Sequence, residues 1–153
     1  QCIGGRRCDR AKDYIKVSLI YGGGLLAVLS AAVVLLARPL SGLFVDSETA
    51  AKIVRTYFLI IGIGYILNTV TNCFLGAVNG MGKPVKSLCC MILYYLIVRM
   101  PLAWLLSFLG FGLNGIWTAV LVSHIVAAAA ACLIGNLELK GQERILSDEG
   151  RIK

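Results

Sequence analysis

Acidic side chains are scarce in this chain. Only eight Asp and Glu occur among 153 residues, and none lies in the four long apolar runs at 15–37, 57–78, 87–109 and 115–137. That absence leaves no paired carboxylates in those runs. No nucleophile–base constellation and no glycine-rich loop between a strand and a helix is present either, so nothing supports an enzyme and no catalytic residue is assigned. The six cysteines show no metal or redox spacing. Cys73, Cys89, Cys90 and Cys132 fall in or beside apolar runs, where a thiol behaves as a small hydrophobe. No metal centre and no cofactor is expected. The start also lacks an initiator, because the first residue is Gln1.

What is present is apolar length. The chain is 58% hydrophobic with a mean hydropathy of +0.82, and 15% of it is charged. Each run approaches the roughly 20 residues that carry a helix across a bilayer core. A soluble domain of this size could not cover four such runs, and a secretory signal has a shorter apolar region followed by a cleavage site. The expected fold is therefore all-α and polytopic, with four transmembrane helices in contact with the lipid bilayer.

The formal charge of +7 is distributed by topology rather than as a nucleic-acid footprint. Arg6, Arg7, Arg10, Lys12 and Lys16 lie at the start of the first run, Lys83 and Lys86 between the second and third, and Lys140, Arg144, Arg151 and Lys153 after the fourth. The opposite side has Arg38, Lys52 and Arg55. The positive-inside rule then puts both ends and the 79–86 loop in the cytoplasm, with the protein in the cell membrane.

Residues 1–14 read as a basic cytoplasmic leader. The first span is expected to stop at Arg38-Pro39, since proline cannot continue a helix. Its Gly22-Gly23-Gly24 cluster suits close helix packing or a hinge. Asp46-Ser47-Glu48-Thr49 offers capping oxygens and negative charge to an outer amphipathic helix over 47–56 that runs into span two. Asn79 to Pro84 makes a compact turn, and Gly110 to Gly115 is too short for anything but an antiparallel hairpin. Residues 138–153 form a cytoplasmic tail.

Polar residues inside the spans are the candidate functional groups. Tyr65, Asn68, Thr69, Asn72, Gly76 and Asn79 recur mostly every three or four residues and share one helix face. Lipid cannot satisfy such a stripe, so it either bonds neighbouring helices or walls a solvated cavity for substrate or cation. Arg99 falls mid-span, where a charge costs at least about 2.5 kcal/mol. With no acid in any span, it takes a partner from sequence outside the chain or snorkels to an interface. Pro101 frees the Ile97 carbonyl and bends the helix. His124 suits either a proton relay or packing, and Trp104 and Trp117 suit interfacial anchoring.

These residues together resemble the multidrug and toxic compound extrusion (MATE) family. Gln1-Cys2-Ile3-Gly4-Gly5 with Asp9-Arg10-Ala11-Lys12 is similar to the segment leading into the family's helix nine, and Arg38-Pro39-Leu40 with Leu43-Phe44 to the end of that helix. Asn79-Gly80-Met81-Gly82-Lys83-Pro84 is similar to the loop after helix ten, with Asn79 where the family has arginine. Arg99-Met100-Pro101-Leu102-Ala103 resembles the helix-eleven signature, and Gly112 to Trp117 the start of helix twelve. The resemblance implies helices nine to twelve of a twelve-helix antiporter that exports small amphipathic cations against sodium or proton influx. Its eight amino-terminal helices would then be missing partners. Tyr65, Asn68, Thr69 and Asn72 would line the lobe cavity, with Arg99 and Pro101 shaping helix eleven. Asn68 falls near an acidic position of the sodium-coupled branch, and asparagine offers a carbonyl but no charge. Coupling is thus expected to depend on the amino-terminal lobe. The competing readings are a lipid or polysaccharide-precursor flippase of related fold and a stand-alone four-helix membrane scaffold.

Overall fold

Helices account for nearly all of the computed structural model, which describes residues 2, 3, 5, 7–37, 39 and 48–151. Helix α1 spans Cys8–Leu35 and α2 spans Glu48–Gly80. Helix α3, Pro84–Ile92, passes into a π-helical segment, Leu93–Arg99, then into α4, Met100–Leu106, and a second π-helical segment, Ser107–Phe111. Helix α5 covers Gly112–Arg151. No strand occurs among the described residues. The expected stop at Arg38, the capping residues Asp46 and Ser47, and the Leu40 to Phe44 part of the family-like pattern lie outside the described residues.

Among the described residues three continuous helical stretches are long and apolar enough to cross a membrane, Cys8–Leu35, Glu48–Gly80 and Pro84–Ser147, where four spans are expected. The difference is one of continuity. The third stretch folds back on itself at Gly110 (φ 86°) and Gly112 (φ 54°), two left-handed residues that side-chain-bearing amino acids rarely adopt. Its two arms then pack together: Gly115 lies against Leu106, Arg99 meets Ser123, and Lys86 meets Glu138. That progression belongs to an antiparallel hairpin, so the chain makes four passes through three stretches.

The same reasoning orders the other helices. Gly22 faces Thr69 and Ser30 faces Gly62, which makes α1 and α2 antiparallel. Gly64 faces His124 and Phe74 faces Gly135, which makes α2 and α5 parallel. Helix α2 is the centre, packed against both α1 and α5. At about 1.5 Å per residue its 33 residues extend about 50 Å, well beyond a hydrocarbon core of about 30 Å. Residues 48–56 are thus one end of the same rod. Of the glycine triplet, only Gly22 meets a neighbour, with its open Cβ position 3.2 Å from the Thr69 methyl.

A small core joins the passes: Phe74 and Leu75 of α2, Cys90, Tyr94, and Ala127 and Ala131 of α5. Alanine and glycine let backbones approach closely where lipid supplies no hydrophobic drive. Gly135 illustrates the fit, since a Cβ there would lie 2.5 Å from Phe74 Cδ1.

Candidate functional site

Helix α2 presents its polar residues in a groove. With about 100° between successive residues, Asn68, Asn72 and Tyr65 point between the direction of Gly62 and Thr69, which meet α1, and that of Gly64, which meets α5. Asn72 is exposed and Tyr65 is 47% exposed, while Asn68 and Thr69 are half-buried. Thr69 Oγ1 donates back to the Tyr65 carbonyl at 3.1 Å, the ordinary way a helical threonine satisfies its hydroxyl in lipid.

The stripe does not line one continuous chamber. Asn72 lines a cavity of about 550 Å³ between α1 and α2, together with Tyr14, Ile15, Ser18, Cys73 and Gly76. Tyr65 lines a separate cavity of about 330 Å³ farther along the seam, with Leu26, Ser30, Phe58 and Gly62. Thr69 pressed against Gly22 lies between them, and Asn68 borders neither. Spacing alone shows a shared face but not where the neighbouring helix touches it.

Arg99 is held in part inside the chain, while its Nη2 is buried without a hydrogen-bond partner among the described residues. Its Nε donates to Ser123 Oγ at 2.8 Å, and its guanidinium carbon lies 4.5 Å from the Tyr95 ring centroid. Ser123 is fully buried and passes its own hydroxyl hydrogen to the Val120 carbonyl at 2.7 Å. A neutral hydroxyl and an aromatic face meet part of the guanidinium, and the buried Nη2 is left for a further acceptor. At Pro101 the chain stays helical. Arg99 and Met100 keep helical dihedrals, and the turn preceding the proline widens to π-helical bonding. Arg99 and Pro101 thus sit at the junction of the first π-helical segment and α4.

His124 is buried, with Nδ1 2.9 Å from the Val120 carbonyl and its ring against Gly64. Trp117 packs edge-on against Tyr57 with centroids 5.6 Å apart, while Trp104 stacks on Phe108 and stays exposed. Among the described residues no cluster of three or more His, Cys, Asp or Glu has the arrangement of a metal site.

The charged end carries an ionic network that pattern reading missed. Glu138, just past the fourth apolar run, is buried and accepts from both Lys83 and Lys86. Those bonds, Lys83 first, hold its carboxyl below the usual carboxylate range. Lys12 of α1 bonds Glu143 of α5, and that hydrogen bond raises the Lys12 ammonium pKa. Beside it burial pushes the Cys8 thiol up, with Glu143 adding to the effect. The first helix, the 81–83 turn, α3 and α5 are therefore tied together at one end.

No curated protein and no solved structure matches the chain significantly. A family model described as MatE matches residues 1–105, from the leader through α1 and α2 into α4, including the Arg99 to Ala103 segment. Members of that family are transporters embedded in the membrane by many helices, which agrees with the all-helical, multi-pass fold. The match covers more than half of the chain, and the chain belongs to the MatE family of multidrug and toxic compound extrusion transporters.

Proposed function

We propose that the chain forms part of a secondary active antiporter that exports amphipathic cationic compounds across the cytoplasmic membrane, driven by sodium or proton influx. The observation that carries this reading is the polar face of α2, where Tyr65 and Asn72 stand exposed at two cavities along the α1 seam and Asn68 lies half-buried beside them. Polar groups at membrane depth must meet water, solute or protein. Further helices of the same transporter supply the opposing wall. Supporting this, the chain exposes 9996 Å², against about 7,500 Å² for a compact protein of its mass.

In this reading Asn68 and Asn72 orient solute through their amides, and the compensating negative charge for a cation comes from the opposing wall. Both ends and the 81–83 turn face the cytoplasm, in keeping with their basic residues. Transport proceeds by rocking between lobes, with direction set by unequal ion affinity in the two states. A flippase for anionic lipid precursors would need a strongly cationic groove. Arg99, the one cation near mid-span, is engaged in part by Ser123 and Tyr95 and would not by itself make the groove cationic.

The test is efflux of a fluorescent cationic dye by the complete gene product in cells lacking their own pumps. Gradient-dependent efflux is expected, falling at least several-fold in Asn68→Leu and Asn72→Leu at unchanged membrane abundance. No efflux of any cationic dye overturns the export reading. Unchanged efflux in both variants overturns the role of the groove.

A further inference from the structure

The two seam cavities stand in line. Between the antiparallel α1 and α2, the larger one of about 550 Å³ reaches from Ala11 and Gly80 at the charged end to Ser18 and Asn72. The smaller one of about 330 Å³ continues from Leu26 and Tyr65 to Val33 and Phe58. Residue numbers rise along α1 and fall along α2 without a crossing, so both cavities belong to one track. Gly22 and Thr69 occupy the step between them, where a Cβ built on Gly22 would lie 3.2 Å from Thr69 Cγ2. Local bonding fixes that contact. Thr69 Oγ1 donates to the Tyr65 carbonyl at 3.1 Å, and with the hydroxyl so engaged the stiff β-branched side chain holds its methyl against Gly22.

We infer that the Thr69–Gly22 contact is the size-selecting constriction of the solute track, the point where the seam parts to the width of what passes. This role rests on the export reading and names a specificity-determining pair for it. Both cavities fall within the range of about 300–1,000 Å³ typical of pockets that enclose small molecules, so the limit on girth comes from the contact between them. Among the described residues no charged side chain lines either cavity. A solute in the larger one meets the Asn72 amide, and beyond the contact it meets Phe58 and Tyr65, aromatic rings of the kind that attract organic cations. A contact that served packing alone would affect solutes of every size alike.

The test compares two cations of equal charge and different girth, tetraethylammonium and tetraphenylphosphonium, in gradient-driven transport by the complete gene product in vesicles. Thr69→Ser removes the methyl and keeps the hydroxyl, while Gly22→Ala adds a methyl on the opposite side of the contact. Gly23→Ala is the control, since a Cβ there meets nothing within 4 Å and Gly23 lines neither cavity. The efficiency ratio of phosphonium to ammonium is expected to rise about tenfold in Thr69→Ser and to fall about tenfold in Gly22→Ala, the low end of what one methylene is worth in a pocket. It should return toward the parent in the double variant and stay unmoved in Gly23→Ala. An unchanged ratio in Thr69→Ser or in Gly22→Ala, or an equal shift in Gly23→Ala, overturns the constriction and leaves export standing. Transport of neither cation by the parent overturns the export reading and the constriction with it.

Discussion

Arg99 shows how a membrane places a charge with little help. Its Nε bonds the buried Ser123 hydroxyl and its guanidinium lies over Tyr95, while Nη2 stays buried without a partner among the described residues. Hydrogen bonds to charged groups contribute about 1.5–3 kcal/mol in folded proteins, whereas interhelical bonds in membranes average nearer 0.6 kcal/mol. Ser123→Ala is therefore expected to destabilise the hairpin by about 1 kcal/mol, read as a lower Tm in detergent, and Arg99→Ala to cost less in a Ser123→Ala background than alone. Glu138 is the second case. Its lowered pKa means its contribution is present above the unfolded value of about 4.3 and lost as pH falls through the folded value. The raised Lys12 acts in the opposite sense, holding below about 10.4 and failing only as pH rises through its folded value. The clasp should be intact across neutral pH. Glu138→Gln should lower the Tm at pH 7 by leaving Lys83 and Lys86 facing each other, with the difference from the parent vanishing at strongly acid pH.

At the level of elements, the hairpin turn is the feature most exposed to single changes. Gly110 has φ 86° and open space around its Cβ position, so Gly110→Ala is expected to cost about 1–2 kcal/mol through backbone strain alone. Gly115→Ala should also destabilise, but by collision, since its Cβ would lie 2.9 Å from that of Phe111. Thermal melts of the two variants, each with a Ser replacement for comparison, separate the causes: strain persists with any small side chain, and collision grows with size. Much of this element structure was legible beforehand. Apolar run length located the passes, and the Gly110 to Gly115 spacing located the hairpin. The pairing of Arg99 with Ser123 was not read from the sequence, although both stand twelve positions from Phe111 at the turn. What run length could not show is that the turns preceding the proline would take π-helical bonding, because that depends on how the preceding carbonyls find donors. Nor could it show that Gly22 would press Thr69 and divide the seam into two cavities, because helical spacing fixes a face but not its crossing point.

For the molecule as a whole, a gradient of enclosure runs through the fold. The most apolar stretch of α1 has none of its residues buried, that of α2 has 22%, and that of Pro84–Ser147 has 39%. Helix α1 is a flank, α2 the seam, and the hairpin the firmest unit. The polar face of α2 opens on the groove, while Leu59 and Ile63, 50% and 58% exposed, point to the other side of the same helix. That division between a wet face and a lipid face is the central claim. It is tested most directly by placing single cysteines at Asn68, Asn72, Leu59 and Ile63 in a version of the complete gene product free of other cysteines, then measuring modification by a water-soluble maleimide in native membranes. The account calls for rapid labelling at 68 and 72 and at least tenfold slower labelling at 59 and 63. Equal rates at all four positions, or labelling confined to 59 and 63, would contradict it.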